Sequence, residues 1–155
     1  VDAAELFRRW MRHGDAPAPA RPEDMLDRLR LGGVHDTRVL AAMATVPREE
    51  FVEPGMRELA YADRALGIGH EQTISQPLMV ALLVQALELR PGDRVLDVGT
   101  GSGYQAAVIA ACGTHVVSIE RIPALAEEAR VRLARLDLDV AVVVGDGSLG
   151  HPPEA

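Results

Sequence analysis

A single cysteine, Cys112, stands in the 155 residues, so no internal disulfide can form and a reducing cytoplasm is the natural setting. Cys112 sits among apolar helical positions and reads as core packing. No basic stripe is visible, and the formal net charge is −7. A nucleic-acid footprint needs clustered cations that displace counterions from phosphates, so that class of partner is excluded. Long hydrophobic runs are missing too: Pro77 to Leu87 is interrupted by Gln85 and falls far short of the ~20 residues that cross a bilayer. The start, Val1 to Met11, mixes Asp2 and Glu5 with arginines and lacks the apolar centre of a secretory signal. Histidines at 13, 35, 70, 115 and 151 show neither paired spacing nor cysteine partners, and no metal site is expected.

What is present is the balance of a globular domain, 48% apolar and 25% charged, in a chain long enough to bury one core. Residues 3 to 12 place Leu6, Phe7, Trp10 and Met11 on one helical face, and the "GDAPAPARP" that follows is an extended linker. This sets off residues 1–20. A second region, 21–90, opens with a predicted helix from Pro22 to about Leu31, stopped by Gly32-Gly33. Asp36 caps another over "TRVLAAMATV", halted at Pro47. Residues 48 to 69 are expected to be irregular, with one helical turn near "PGMREL". The helix after Pro77 is apolar on nearly every side, which predicts burial.

In the third region, 91–155, strands "RVLDVG", "THVVSIE" and "DVAVVVG" alternate with helices "GYQAAVIAAC" and "PALAEEARVRLARL". Val-rich strands alternating with helices predict a β-α-β-α-β unit with a parallel sheet. Gly99, Gly101 and Gly103 fall where the first strand meets the first helix, allowing a tight turn and close approach of a ligand to the backbone. Tyr104 occupies the place of the third glycine in G-x-G-x-x-G, which weakens a nicotinamide or flavin reading. Glu120 closes the second strand at about the spacing where such folds hold ribose hydroxyls, and Asp146 ends the third on the same edge. Asp146-Gly147 is equally a simple turn.

Together, "VLDVGTGSGYQAAVIA", "VVSIER" and "VVGDG" resemble the first three motifs of class I S-adenosylmethionine-dependent methyltransferases. With "VPREEFV" (46 to 52), "YAD" (61 to 63) and "TISQP" (73 to 77), the chain resembles the protein-L-isoaspartate (D-aspartate) O-methyltransferase family from about Pro22 through Gly150. The resemblance implies an α/β, Rossmann-like fold with an N-terminal helical subdomain. It implies S-adenosyl-L-methionine as cofactor, held by Gly69, Gln72, Asp97, Gly99, Thr100, Gly101, Gly103, Glu120, Arg121, Asp146 and Gly147. It also implies transfer of a methyl group to the carboxyl of isoaspartyl residues in damaged proteins and peptides. A monomer is expected. Family members continue past the third strand, so a sheet truncated there, with its first strand as a bare edge, is expected for this chain.

An acceptor carboxylate is already ionised near neutrality and needs no strong base, only alignment and exclusion of water. A serine hydroxyl can supply the aligning hydrogen bond. The resemblance puts the active-site serine at Ser75, with Thr73 and Gln76 shaping the acceptor pocket. From local sequence alone, the favoured role of Thr73 and Ser75 is an N-terminal cap, with Ser75 or Gln76 satisfying amides of the helix that begins at Pro77. Two other functions stay open: methylation of an aspartate in one specific peptide, and an inactive remnant that binds cofactor or a partner.

Overall fold

A computed structural model describes residues 21–151, and the helix expected over residues 3 to 12 lies outside them. Helix α1, Pro22–Leu31, starts on a proline, whose missing N–H is harmless in a first turn, and carries Glu23 and Asp24 where the helix dipole favours anions. Helix α2, Thr37–Thr45, is capped as expected by Asp36, whose Oδ1 accepts from the amides of Arg38 at 2.8 Å and Val39 at 3.4 Å.

The stretch from 48 to 69 is more ordered than its sequence announces. Two 3-10 turns occupy Arg48–Phe51 and Pro54–Leu59, where one helical turn is expected. A short antiparallel hairpin follows, β1 (Leu66–Gly67) against β2 (Thr73–Ile74). Its tip is Gly69-His70-Glu71-Gln72, closed by a 2.9 Å bond from the Gln72 amide to the Gly69 carbonyl. His70 and Glu71 have φ of 50° and 57°, a type I′ turn built without the usual Asn-Gly pair. That missing signature hid the hairpin.

Helix α3, Pro77–Ala86, departs from the expectation of burial on every side. Leu78, Val80, Ala81 and Val84 are buried, whereas Met79, Leu83 and the following Leu87 are 38%, 49% and 51% exposed. Those three recur every fourth residue and form one stripe. An apolar sequence demands cover, but only the neighbours present decide which side receives it.

The third region folds as the expected β-α-β-α-β unit. Strands β3 (Arg94–Val98), β4 (His115–Glu120) and β5 (Val140–Val144) are parallel and lie in the order β3-β4-β5. Helices α4 (Tyr104–Ala111) and α5 (Pro123–Arg135) make the crossovers. Leu125, Ala126, Ala129 and Leu133 of α5 are buried, and α4 packs against α2 and α3, so the helices and the sheet share one core. Among the described residues strand β3 is an edge, with Leu96 42% and Val98 57% exposed. No helix among the described residues is long and apolar enough to cross a membrane.

Candidate active site

The carboxyl ends of the three strands converge through their register, which pairs Val98 with Ile119 and Glu120 with Val144. In an open α/β sheet this is where ligands bind. The turn from β3 to α4 runs through Gly99, Gly101 and Gly103, at φ of 92°, 52° and 91°. At Gly103 the glycine is required twice over, because the φ is left-handed and a β-carbon there would stand 3.3 Å from Leu133 Cδ1 of α5.

Apart from that of Ser102, the amides of this turn are spent within the protein. Gly99 and Thr100 donate to the Ile119 carbonyl at 2.8 and 3.2 Å, Gly103 to the Thr100 carbonyl at 2.8 Å, and Tyr104 to the Ser102 hydroxyl at 3.3 Å. Gly101 donates to Glu120 Oε2 at 2.9 Å, while Oε1 of the same carboxylate accepts from the Ile122 amide at 3.0 Å. A phosphate cradle would need these amides free and pointing outward. Here they fasten the turn to β4 and leave a carboxylate, with unused lone pairs, facing the ligand side.

Asp97 lies beneath the turn rather than in the opening. It is directly across from Ser118 in the strand register and accepts from Ser118 Oγ at 2.6 Å and from Gln105 Nε2 at 2.9 Å. Thr100 Oγ1 meets Ser118 Oγ at 2.6 Å, so a buried chain joins β3, β4, the turn and α4. Burial pushes the Asp97 carboxyl above its ordinary range, partly opposed by the two hydrogen bonds. A serine inside the otherwise apolar "VVSI" is the sequence signal for this network, since a buried hydroxyl must find a partner.

A cavity of about 250 Å³ opens between this strand edge and the β1–β2 hairpin. Gln72, Thr73, Gly99, Gly101, Glu120, Arg121, Asp146 and Gly147 line it, all of them positions singled out in the sequence. Val98, Ile119 and Gly145, which lie within the quoted motifs without having been singled out, join them, as does Ser148 just beyond the last motif. Gly69, Ser75, Gln76, Asp97, Thr100 and Gly103 are not among the lining residues. Asp146 lines the cavity and, as a turn residue, accepts from the Ser148 amide at 3.0 Å, which holds its carboxyl below the ordinary range. The lining thus carries two carboxylates against one guanidinium, from Glu120, Asp146 and Arg121, and suits a ligand that offers hydroxyls and positive charge.

Thr73 is exposed, Ile74 buried and Ser75 exposed, an alternation that puts the two hydroxyls on the same side of the chain. Thr73 reaches the cavity, so Ser75 lies one step along from it. The capping alternative is not what the structure holds: no side chain of 73 to 76 caps α3. The cap comes from Asp63, whose Oδ1 accepts from the Leu78 amide at 2.9 Å and whose Oδ2 accepts from Gln76 Nε2 at 3.3 Å. Arg48 binds the Ser75 carbonyl from the other side, Nη2 to O at 2.7 Å. Among the described residues the Ser75 hydroxyl itself makes no hydrogen bond. The stretches "VPREEFV", "YAD" and "TISQP", separate in sequence, are therefore one assembly. Arg48 and Asp63 had no assigned role in the sequence, although both lie in stretches that carried the resemblance.

Residues 20–155 match the protein-family model described as protein-L-isoaspartate(D-aspartate) O-methyltransferase. A protein-L-isoaspartate O-methyltransferase of Methanoculleus marisnigri is 50% identical over 141 residues, covering 90% of this chain and 64% of that protein. One from Methylorubrum extorquens is 50% identical over 149 residues, covering 89% of this chain and 65% of its own length. The chain thus spans somewhat less than two thirds of these relatives. Among solved structures, a protein-L-isoaspartate O-methyltransferase superposes with a TM-score of 0.75 at 34% identity, over 85% of this chain and 44% of that one. A Plasmodium falciparum protein in complex with S-adenosyl-L-homocysteine gives 0.71 at 26% identity, over 82% and 64%. With the family match running through all three strands, the glycine turn and the loop around Ser75, the chain belongs to the protein-L-isoaspartate (D-aspartate) O-methyltransferase family.

Proposed function

We propose that the chain carries the donor site and acceptor loop of an enzyme that methylates the carboxyl group of isoaspartyl residues in damaged proteins and peptides. The observation that carries this reading is the one cavity shared by the glycine turn, Glu120, Asp146 and the Gln72-Thr73 segment that leads to Ser75. The residues fit S-adenosyl-L-methionine better than a nucleotide phosphate, because the turn presents no array of free amides and the lining is acidic. Glu120 would accept from ribose hydroxyls with the lone pairs that Gly101 and Ile122 leave free. Gly99 and Gly101 let the ligand lie against the backbone, and Gln72 and Thr73 close the far wall. When bound, S-adenosyl-L-methionine supplies a methyl group on a positively charged sulfonium.

The protein's remaining task is placement. An isoaspartyl carboxylate is ionised at neutral pH, so no side chain need take up a proton. Ser75 would donate its free hydroxyl to one carboxylate oxygen and hold the other in line with the cavity, and the loop would keep water from solvating the nucleophile. The reading includes a cytoplasmic setting, supported by a lone cysteine that is buried and unpaired.

The test is transfer of labelled methyl groups to an isoaspartyl peptide and to its normal aspartyl twin, with wild type and Ser75→Ala. Base-labile label in the isoaspartyl peptide alone is expected. In Ser75→Ala, turnover should fall at least ~100-fold, as for loss of a positioning donor, with S-adenosyl-L-homocysteine affinity unchanged. Label in both peptides equally, or parallel loss of turnover and affinity, overturns the reading.

A further inference from the structure

Arg48 is wholly buried, 0% exposed, and heads the fully buried side chains by size among the described residues. Its Nε donates to the Ala60 carbonyl at 2.7 Å and its Nη2 to the Ser75 carbonyl at 2.7 Å. The guanidinium carbon stands 4.7 Å over the centroid of the Tyr104 ring, which meets Phe51 edge-on at 5.4 Å and 63°. Nη1 is buried with no hydrogen-bond partner, and no carboxylate forms an ion pair with Arg48 among the described residues. Asp63 and the two tyrosines favour the charge from nearby, but burial dominates and lowers the affinity of Arg48 for its proton.

This is an expensive way to fill a core. A buried cation without an ion pair loses its hydration for carbonyl bonds and a ring face, and an apolar side chain of the same volume would pack there at less cost. What an apolar residue could not do is hold two segments at a fixed separation. Tyr104 is the first residue of α4, directly after Gly103 of the turn that lines the donor cavity. Ser75 belongs to the acceptor loop. The guanidinium touches both: its face lies on the ring that follows one, and its edge grips the carbonyl of the other.

We infer that Arg48 is a positioning residue that fixes the acceptor serine relative to the donor-binding turn, acting through the Ser75 carbonyl and the Tyr104 ring. The inference rests on the reading of Ser75 given above. The bond to the carbonyl sets the tilt of the 75–76 peptide, and with it the direction of the Ser75 side chain. Asp63 secures the next anchor, at Gln76 and Leu78. The hydroxyl between the two anchors is left unengaged and aimed. Only a guanidinium reaches both carbonyls while lying flat on the ring; a lysine could donate to one carbonyl but would lose the second bond and the planar stacking.

The experiment uses the full chain with Arg48→Met, Arg48→Lys and Arg48→Lys combined with Ser75→Ala. Amide hydrogen exchange is followed over residues 72–77 and 104–111, S-adenosyl-L-homocysteine affinity by calorimetry, and kcat with an isoaspartyl peptide. In Arg48→Met we expect exchange over 72–77 to rise at least tenfold with 104–111 still protected, affinity within threefold of wild type, and kcat down about a hundredfold. Arg48→Lys should recover part of the kcat. In the Ser75→Ala background the lysine change should cost almost nothing further, because Arg48 acts through that serine.

Unchanged exchange over 72–77 overturns the inference. So does a uniform loss of protection and affinity, or an Arg48→Lys cost that simply adds to that of Ser75→Ala. Should Arg48→Met fail to fold, Arg48→Gln, which keeps donors without the charge, is judged by the same measures. If the wild type transfers no methyl group, the proposed function fails, while the exchange and affinity data still decide whether Arg48 sets the loop.

Discussion

The amide of Gly101 donates to the carboxylate of Glu120 across 2.9 Å, so the acid closing β4 secures the turn that follows β3. The same side chain takes the Ile122 amide and is only 6% exposed. Glu120→Gln keeps the shape but replaces an accepting oxygen by a donor that faces one of two amide donors. Binding of S-adenosyl-L-homocysteine should weaken by about tenfold to a hundredfold, the worth of a hydrogen bond to a charged group. Calorimetry reads this directly, and equal affinity in the two proteins would remove Glu120 from the donor site.

Gly147 faces Val98. A β-carbon on Gly147 would overlap Val98 Cγ1, so the Asp-Gly pair at the end of β5 is imposed by packing as well as by turn chemistry. Gly147→Ala should cost about 1–3 kcal/mol, the usual range for overpacking. Val98→Ala should return most of it, because the obstructing methyl goes and Val98 is largely exposed. Urea unfolding of the two single variants and the double measures the coupling.

The hairpin tip stores strain at two residues that lack the freedom its geometry asks for. Glu71, at φ of 57°, occupies the second central position of a type I′ turn, where glycine is preferred. Glu71→Gly should stabilise the protein by about 0.5–1 kcal/mol, the relief of a left-handed side chain less the entropy of glycine. The check is a rise in thermal midpoint. A fall would mean that the exposed carboxylate makes up the difference.

Asp97 gives a pH dependence. Burial raises its folded pKa, so the folded protein holds this proton more tightly than the unfolded chain does. Wild-type stability therefore declines, on account of this group, as pH rises from the unfolded value of about 4 through the raised folded value. Asp97→Asn has no charge to bury, and the Ser118–Thr100 hydroxyl pair can reverse its bond to suit the amide. The two proteins should match in stability below about pH 4, with the variant gaining progressively above it. Parallel stability curves across that range would show that the two hydrogen bonds cancel the cost of burial.

Much of this was legible in the chain itself. The bounds of α1, the Asp36 cap and the β-α-β-α-β order follow from periodicity and turn chemistry, which act over a few residues. The cavity-lining role of Glu120 and Asp146 was readable from strand ends. The hairpin at 66–74 was not, since its turn uses His70 and Glu71 in place of glycine or asparagine. Nor were Arg48 and Asp63, whose partners lie 27 and 15 residues away. Local pattern offered Ser75 as a cap for α3, and a carboxylate from outside the segment took that place. The exposed stripe on α3 was equally invisible, because apolar composition says that cover is wanted and nothing about its direction.

Asp63 supplies the cap of α3 from a separate stretch of chain, and this limits how the site could be moved to another scaffold. Transplanting "TISQP" alone would carry the serine but leave the first turn of its helix open and the preceding carbonyl without its guanidinium. A working graft must bring residues 46 to 63 as well. By the same logic, natural recombination at this locus would be tolerated only when both stretches travel together.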